Sequence, residues 1–163
     1  MFARRLFLLT AFVALPAIAE TTTPAEGAKP AESTPADYDE ALANELGADD
    51  YGMRAYVLVI LKTGPTRVTD EAKRKEMFAG HFANMKRLAE EGTLALAGPL
   101  DGVEGRRGIF IFAVPDIESA KAAVATDPVI QNGEMVAEFH QYYGSAALMK
   151  IRELHKRIAK KEI

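Results

Sequence analysis

Three histidines, His81, His140 and His155, are the side chains of this sequence best suited to moving protons near neutral pH. Their spacing matches no zinc signature, and the absence of cysteine excludes thiolate nucleophiles and cysteine metal ligands. There is no phosphate-binding glycine loop followed by Lys-Ser/Thr, and there is no GxSxG elbow. We therefore expect acid–base chemistry by an imidazole without a metal or other cofactor. A three-histidine metal site assembled in space is the less favoured alternative.

His81 falls within a segment of helical periodicity. The segment carries an apolar stripe formed by Phe78, Phe82, Met85 and Ala89. At roughly 100° per residue, His81 lies about 60° from the centre of this stripe. We therefore expect its side chain at the border between core and solvent, where a cleft can open. Taken alone, a structural histidine is the simpler interpretation, and proton transfer is the functional one.

Asp127 directly precedes Pro128, which is typical of a helix N-cap followed by proline at the first helical position. The functional interpretation is a carboxylate that orients an imidazole. The 46 residues between His81 and Asp127 do not by themselves show that the two side chains meet.

Four further residues are weaker candidates for a functional role. His140 is predicted late on a strand, either facing outward or contributing to a site. Gly98 and Pro99 are predicted to end a strand. His155 is predicted to be solvated on a basic helix near the end of the chain.

The elements that would position these residues follow from the hydrophobic pattern of residues 53–144, which predicts one α+β domain. We predict strands at 54–62, 93–97, 108–114 and 133–142 and helices at 70–91 and 117–125. This βαββαβ order favours a ferredoxin-like sandwich, with both helices on one face of an antiparallel sheet. The first and third strands are apolar on both faces, so we expect a second copy of the chain to cover the bare face.

Residues 1–19 have the pattern of a secretory signal peptide. Arg4 and Arg5 precede an apolar run of about ten residues, and Ala17-Ile18-Ala19 ends the segment with small residues. The run is shorter than the ~20 residues that span a bilayer. We therefore expect cleavage, export to the periplasm or beyond, and no stable membrane anchor. An uncleaved anchor is the alternative.

Two segments flank the predicted domain. Residues 20–52 are predicted to be an acidic linker that is disordered over 20–36. The same linker contains a short helix at 37–46, capped by Asp37. Residues 145–163 are predicted to form an amphipathic basic helix that packs on its own domain or on a partner copy. Binding to an anionic membrane surface is the alternative.

The charge of the chain argues against nucleic acid as the main partner. The formal net charge is −3, and removal of Arg4 and Arg5 with the signal peptide leaves −5. Binding to phosphates requires a basic footprint, which this balance does not provide.

The stretch from 56 to 143 resembles the YCII-related family, in particular its exported branch. The resemblance is carried by YVLVILKTGP from Tyr56, HFANMKRLAEEGTLALAGPL from His81, GIFIF from Gly108, ATDP from Ala125 and FHQYYGSAAL from Phe139. It implies a dimeric α/β barrel built from two ferredoxin-like units. It also implies an active site made from the helix histidine and the aspartate before proline, which match His81 and Asp127.

The resemblance favours a cofactor-free enzyme of isomerase or lyase type, in which His81 moves a proton on a small carbonyl or lactone and Asp127 orients it. We assign His140, Gly98 and Pro99 to substrate binding. One branch of the family eliminates chloride from a chlorinated lactone, but no motif carries that substrate over to this chain. The alternatives are a module that binds a small ligand without turnover and a cofactor-free oxygenase.

Overall fold

The computed structural model describes Pro35 and residues 37–161. The chain divides into two units, and the second, from Asp37 to Ile163, is the one described here. The predicted signal peptide and, apart from Pro35, the predicted disordered linker lie outside the described residues. Within the described part of the chain, no helix is long and apolar enough to cross a membrane.

The described residues form four strands and five α-helices. In chain order these are α1 (Glu40–Leu46), β1 (Met53–Thr63), α2 (Glu71–Glu90), β2 (Leu94–Pro99), β3 (Arg106–Phe112), α3 (Ile117–Val124), α4 (Pro128–Gln131), β4 (Met135–Ser145) and α5 (Ile151–Ile158). Short 3₁₀ turns occupy Val103–Gly105 and Ala146–Lys150.

The strands form one antiparallel sheet in the order β2-β3-β1-β4. The central strand β1 pairs with a neighbour on each side, so that Val59 faces Phe110 of β3 and Phe139 of β4. Together with α2 and α3, these strands give the α+β, βαββαβ arrangement of a ferredoxin-like fold. This part of the sequence prediction is confirmed.

The main core lies between the sheet and the helices. Alternate residues of β1, Val57, Val59 and Leu61, are buried there, together with Phe110 and Phe112 of β3. Period-two alternation places the remaining β1 side chains on the other face of the sheet. The helices therefore cover one face only, as predicted for this topology.

The second face of the sheet, called the outer face below, is partly covered by the end of the domain. Tyr56 is fully buried there because Leu148 and Met149, from the 3₁₀ turn after β4, pack against the same cluster. Further along β1, Leu58 and Ile60 are only partly buried. Among the described residues, an apolar strip therefore stays open to solvent at the centre of the outer face.

Two predicted helix caps are wrong by one or two residues. Asp39, and not Asp37, caps α1 by accepting a hydrogen bond from the Leu42 N–H at 2.9 Å. Asp70, and not Thr69, caps α2 through the Lys73 N–H at 2.9 Å. In both cases a carboxylate three residues before the bonded amide has the spacing that an N-cap requires.

Two predicted boundaries also change. Gly98 and Pro99 were predicted to follow β2, but they are its last two residues and pair with Ile109 and Gly108 of β3. Proline is tolerated there because β2 is an edge strand, whose free side needs no amide donor. The predicted continuous helix over 145–161 is instead a 3₁₀ turn followed by the two-turn helix α5.

Candidate functional site

The predicted apolar stripe of α2 is only partly buried, with Phe78, Met85 and Ala89 packed against the edge of the core. Met77, His81 and Leu88 are the buried residues of this helix, whereas Phe82 is 48% exposed. The ring of His81 lies over the sheet, 6.1 Å from the ring of Phe110. The predicted border position of His81 is therefore wrong, since the helix is rotated so that the histidine points into the core.

His81 meets Asp127 in this buried position. The two atoms that make contact are Nδ1 of His81 and Oδ2 of Asp127, which lie 2.7 Å apart. Only 10% of the histidine side chain and 1% of the aspartate side chain are exposed. With Asp127 in its ionised form, which only accepts hydrogen bonds, Nδ1–H is the donor and the imidazole is held by a charge-assisted hydrogen bond.

Asp127 is fixed by its second oxygen as well. Oδ1 accepts a hydrogen bond from the Val129 N–H at 3.1 Å, and this bond caps α4, which begins at Pro128. The cap interpretation is confirmed, and Asp127 also contacts His81, with one carboxylate oxygen making each contact. Because the backbone amide fixes one oxygen, the other has little freedom to leave His81.

Gly80 is a site residue that the sequence analysis missed. A Cβ atom at this position would lie 3.0 Å from Cγ of Pro128, which is tighter than nine in ten real contacts. The absence of a side chain therefore lets α4 pack directly on α2, which places Asp127 beside His81. A glycine inside a predicted helix signals close approach of another element, and this signal was available in the sequence.

Three aromatic rings surround the imidazole. Phe78 lies edge-on at 6.1 Å between ring centroids, Phe82 lies at 5.5 Å and Phe110 at 6.1 Å. The described residues offer no hydrogen bond to Nε2. Nε2 is therefore the ring nitrogen that has no hydrogen bond within the described part of the chain.

A polar network lies one helical turn after His81. Asn84 Oδ1 accepts hydrogen bonds from Arg87 at 2.8 Å and from Thr126 Oγ1 at 3.0 Å. The other amide atom, Nδ2, is buried and has no hydrogen-bond partner among the described residues. Buried donors of this kind are normally satisfied by an ordered water. This network ties α2 to the residue directly before Asp127, and the sequence analysis did not find it.

Glu134 connects the loop before α2 to the turn before β4. Its buried carboxylate contacts Arg74 Nη1 at 2.5 Å and accepts the Val68 N–H at 2.8 Å. Burial alone would raise the pKa of this carboxyl, but the hydrogen bonds from Arg74 and Val68 outweigh burial and hold the pKa below its ordinary value. Gly64 supports the same junction, because a Cβ there would lie 2.0 Å from the Gly133 carbonyl oxygen.

The residues that we assigned to substrate binding are not brought to the buried pair. His140 pairs with Leu58 across the outer face, is exposed, and contacts Glu138 Oε1 through Nε2 at 2.8 Å. Gly98 and Pro99 lie at the end of the edge strand β2. The structure thus places His140 on the face of the sheet opposite to His81, because strand periodicity alternates sides and the sequence did not fix which side faces the helices.

Among the residues that the structure describes, no cluster of three or more His, Cys, Asp or Glu side chains could hold a metal ion. The exposed His155 lies on α5 as predicted.

The fold and the buried histidine–aspartate pair define an α+β protein of ferredoxin-like topology with one candidate acid–base site. The YCII-related domain model matches residues 55–139, just over half of the 163 residues. The chain belongs to the YCII-related family. The matched region contains both members of the pair.

No curated protein matches the chain. Among solved structures, it is similar to 5-chloro-2-hydroxyhydroquinone dehydrochlorinase from Burkholderia phenoliruptrix AC1100, in complex with 2,5-dihydroxybenzoquinone. The identity is 16%, the TM-score is 0.39, and the match covers 53% of this chain and 92% of the other.

Proposed function

We propose that the protein is a cofactor-free enzyme in which His81 accepts a proton from a small carbonyl- or lactone-type molecule. Asp127 orients the imidazole and compensates the positive charge that it gains. The observation that carries this proposal is the 2.7 Å contact between Nδ1 of His81 and Oδ2 of Asp127, with Nε2 left open.

The arrangement is that of a general base with an orienting group. Because Asp127 holds the proton on Nδ1, the lone pair of a neutral ring lies on Nε2. The surrounding Phe78, Phe82 and Phe110 exclude most water, which strengthens the interaction between the two charged groups during proton transfer. A positioned base of this kind contributes about 10²–10⁴-fold in rate. Isomerisation or elimination next to a carbonyl fits this chemistry.

The proposal is tested by hydrogen–deuterium exchange in D₂O. A panel of γ-lactones, cyclic ketones and 2-keto acids is incubated with the protein, and loss of the proton next to the carbonyl is followed by NMR. This readout detects proton abstraction without knowledge of the final product. We expect exchange of at least one compound class with the wild type and a loss of about 10²-fold or more in His81→Asn.

His155 provides a matched control for this test. His155→Asn removes an exposed imidazole and should leave the exchange rate unchanged. Exchange that persists in His81→Asn would assign the proton transfer to another group and would refute the proposal.

A second candidate function is favoured by burial of the pair. Only a tenth of the His81 side chain is exposed, and two cavities in the described part of the chain, of about 260 and 760 Å³, are lined by neither His81 nor Asp127. A module that binds a small ligand without turnover fits this closed state. Such a module would be stabilised by a compound of the panel in a thermal-shift assay and would catalyse no exchange.

We also propose that the protein works as a homodimer, with the open strip of the outer face covered by a second copy, and that it acts outside the cytoplasm. The dimer is supported by the partly exposed Leu58 and Ile60. Export is supported by the sequence pattern of residues 1–19.

A further inference from the structure

A groove of about 760 Å³ runs between α2, the edge strand β2 and α5, and is called the α2–β2–α5 groove below. This volume lies within the range of about 300–1,000 Å³ that is typical of small-molecule sites. Its floor is apolar, with side chains from all three elements. The main floor residues are Phe82, Met85, Leu94, Leu96, Ala97 and Ile151.

The rim of the groove is strongly cationic. Five lysine or arginine side chains line it against a single carboxylate, Glu90: they are Lys86, Arg152, Lys156, Lys160 and Lys161. The described residues offer no ion pair to Lys156, Lys160 or Lys161. Even with Lys86 left out, four cations stand against one carboxylate in the groove, and this formal charge of +3 contrasts with the −3 of the whole chain and indicates an anionic ligand.

The orientation of α5 produces this charge. Arg152, His155 and Lys156 of α5 line the groove, whereas Leu154 and Ile158 face away and are 52% and 78% exposed. An amphipathic helix normally turns its apolar stripe towards its own domain. Here basic side chains face inward beside Ile151, so the cations are concentrated where the floor is apolar.

A carboxylate already occupies part of this rim. Glu90 Oε1 lies 3.5 Å from Arg152 Nη2, and about half of the Glu90 side chain and 39% of the Arg152 side chain are exposed. Exposed pairs of this kind contribute only about 0–1 kcal/mol. The carboxylate of a ligand can therefore take the place of Glu90 on the guanidinium at little cost, with the planar bidentate geometry that arginine favours.

We propose that the α2–β2–α5 groove binds a monomeric aliphatic carboxylate, with its hydrocarbon chain on the apolar floor and its carboxylate among the cations of α5. The floor consists mainly of Ala, Leu, Ile and Met side chains, which suit a flexible chain better than a polar metabolite. The site is concave and bounded by three elements, which fits a single dissolved molecule. A membrane surface would instead meet the outward-facing Leu154 and Ile158.

This site is distinct from the buried pair. Phe82 lines the groove, and its ring lies 5.5 Å from that of His81, so the two sites are one side chain apart. Binding in the groove does not require proton transfer at His81. The test of binding in the groove is therefore independent of the test of proton transfer at His81.

The test uses the full chain and decanoate below its micelle concentration, followed by calorimetry and by ¹⁵N–¹H NMR. We expect saturable binding with shifts concentrated at residues 94–97 and 151–159. Lys156→Glu combined with Lys160→Glu should weaken binding at least tenfold. Lys75→Glu, the same charge change at an exposed position on α2 outside the groove, should alter it less than twofold.

Decanol and acetate test the two parts of the ligand separately. Decanol lacks the negative charge, and acetate lacks the long hydrocarbon chain. Both should bind at least tenfold more weakly than decanoate. Equal binding of decanol, charge reversal without effect, or NMR shifts away from the groove would overturn the proposal. So would binding to anionic vesicles with no binding of free decanoate. If the double variant does not fold, the NMR map of the wild type still decides the location.

Discussion

Gly80 and Pro128 touch across the junction of α2 and α4, and each is the chain neighbour of one member of the buried pair. A Cβ at Gly80 would lie 3.0 Å from Cγ of Pro128. The separation between the backbones of α2 and α4 is therefore set by the absence of a side chain at Gly80. The 2.7 Å contact between His81 and Asp127 depends on this separation.

The first prediction concerns this junction. In Gly80→Ala, the new methyl group forces Pro128 to give way by a few tenths of an ångström, which lengthens the contact between His81 and Asp127. We expect the exchange rate in D₂O to fall severalfold. The gain in helix propensity, up to about 1 kcal/mol, offsets the strain, so the melting temperature should change little.

Ala79→Ser serves as the control for Gly80→Ala. It changes the neighbouring, exposed residue of the same helix by one atom and should leave the exchange rate within twofold of the wild type. An unchanged exchange rate in Gly80→Ala would mean that the packing distance does not control the pair.

The second prediction concerns stability in acid. Because the folded-state pKa of Glu134 is below its ordinary value of 4.5, its ionised form stabilises the fold above that value. This contribution is lost as the pH falls through the folded-state pKa. In Glu134→Gln, we expect the free energy of unfolding to be lower by about 1–3 kcal/mol at neutral pH, because the charged partner of Arg74 is removed.

Urea unfolding at several pH values checks the second prediction. The difference between the wild type and Glu134→Gln should shrink as the pH falls through the folded-state pKa of Glu134, because the wild type then loses the same interaction. Glu76→Gln, at an exposed position on α2, should show little difference at any pH. A difference for Glu134→Gln that is constant across the range would contradict the assigned shift.

The third prediction is that the outer face forms the dimer contact. Light scattering of the protein at micromolar concentration should give twice the monomer mass. Leu58→Glu places a charge in the open apolar strip and should yield folded monomer. Val103→Glu makes the same chemical change at an exposed residue in the turn between β2 and β3 and should remain dimeric. A wild-type protein that is monomeric at this concentration would rule out the dimer.

The strand and helix order could be predicted because β1 and β3 are short, unbroken apolar runs, α2 has helical periodicity, and the loops carry glycine and proline. The rotation of α2 about its own axis could not be predicted. Phe82 is as apolar as Met77, and periodicity alone does not say which side of the helix is buried. The structure places Phe82 in the α2–β2–α5 groove, beside α5. For the same reason, the sequence pattern could not show whether His140 of β4 faces the helices or the outer face.

The pairing of His81 with Asp127 could be expected only from the family resemblance and the predicted topology, since the residues lie 46 positions apart. Physical signals for it were nevertheless present. Gly80 and Pro128 flank the two residues and mark a close contact between their backbones.

The central claim is that Asp127 holds the proton of His81 on Nδ1 and leaves Nε2 free as a base. It is tested most directly by the ¹⁵N chemical shifts of the His81 ring in wild type and in Asp127→Asn, at a pH where the ring is neutral. In the variant, the amide oxygen keeps the cap of Val129 and its NH₂ group faces His81, so Nδ1 must become an acceptor. We predict Nδ1–H in the wild type and Nε2–H in Asp127→Asn. An Nε2–H tautomer in the wild type, or the same tautomer in both proteins, would contradict the account.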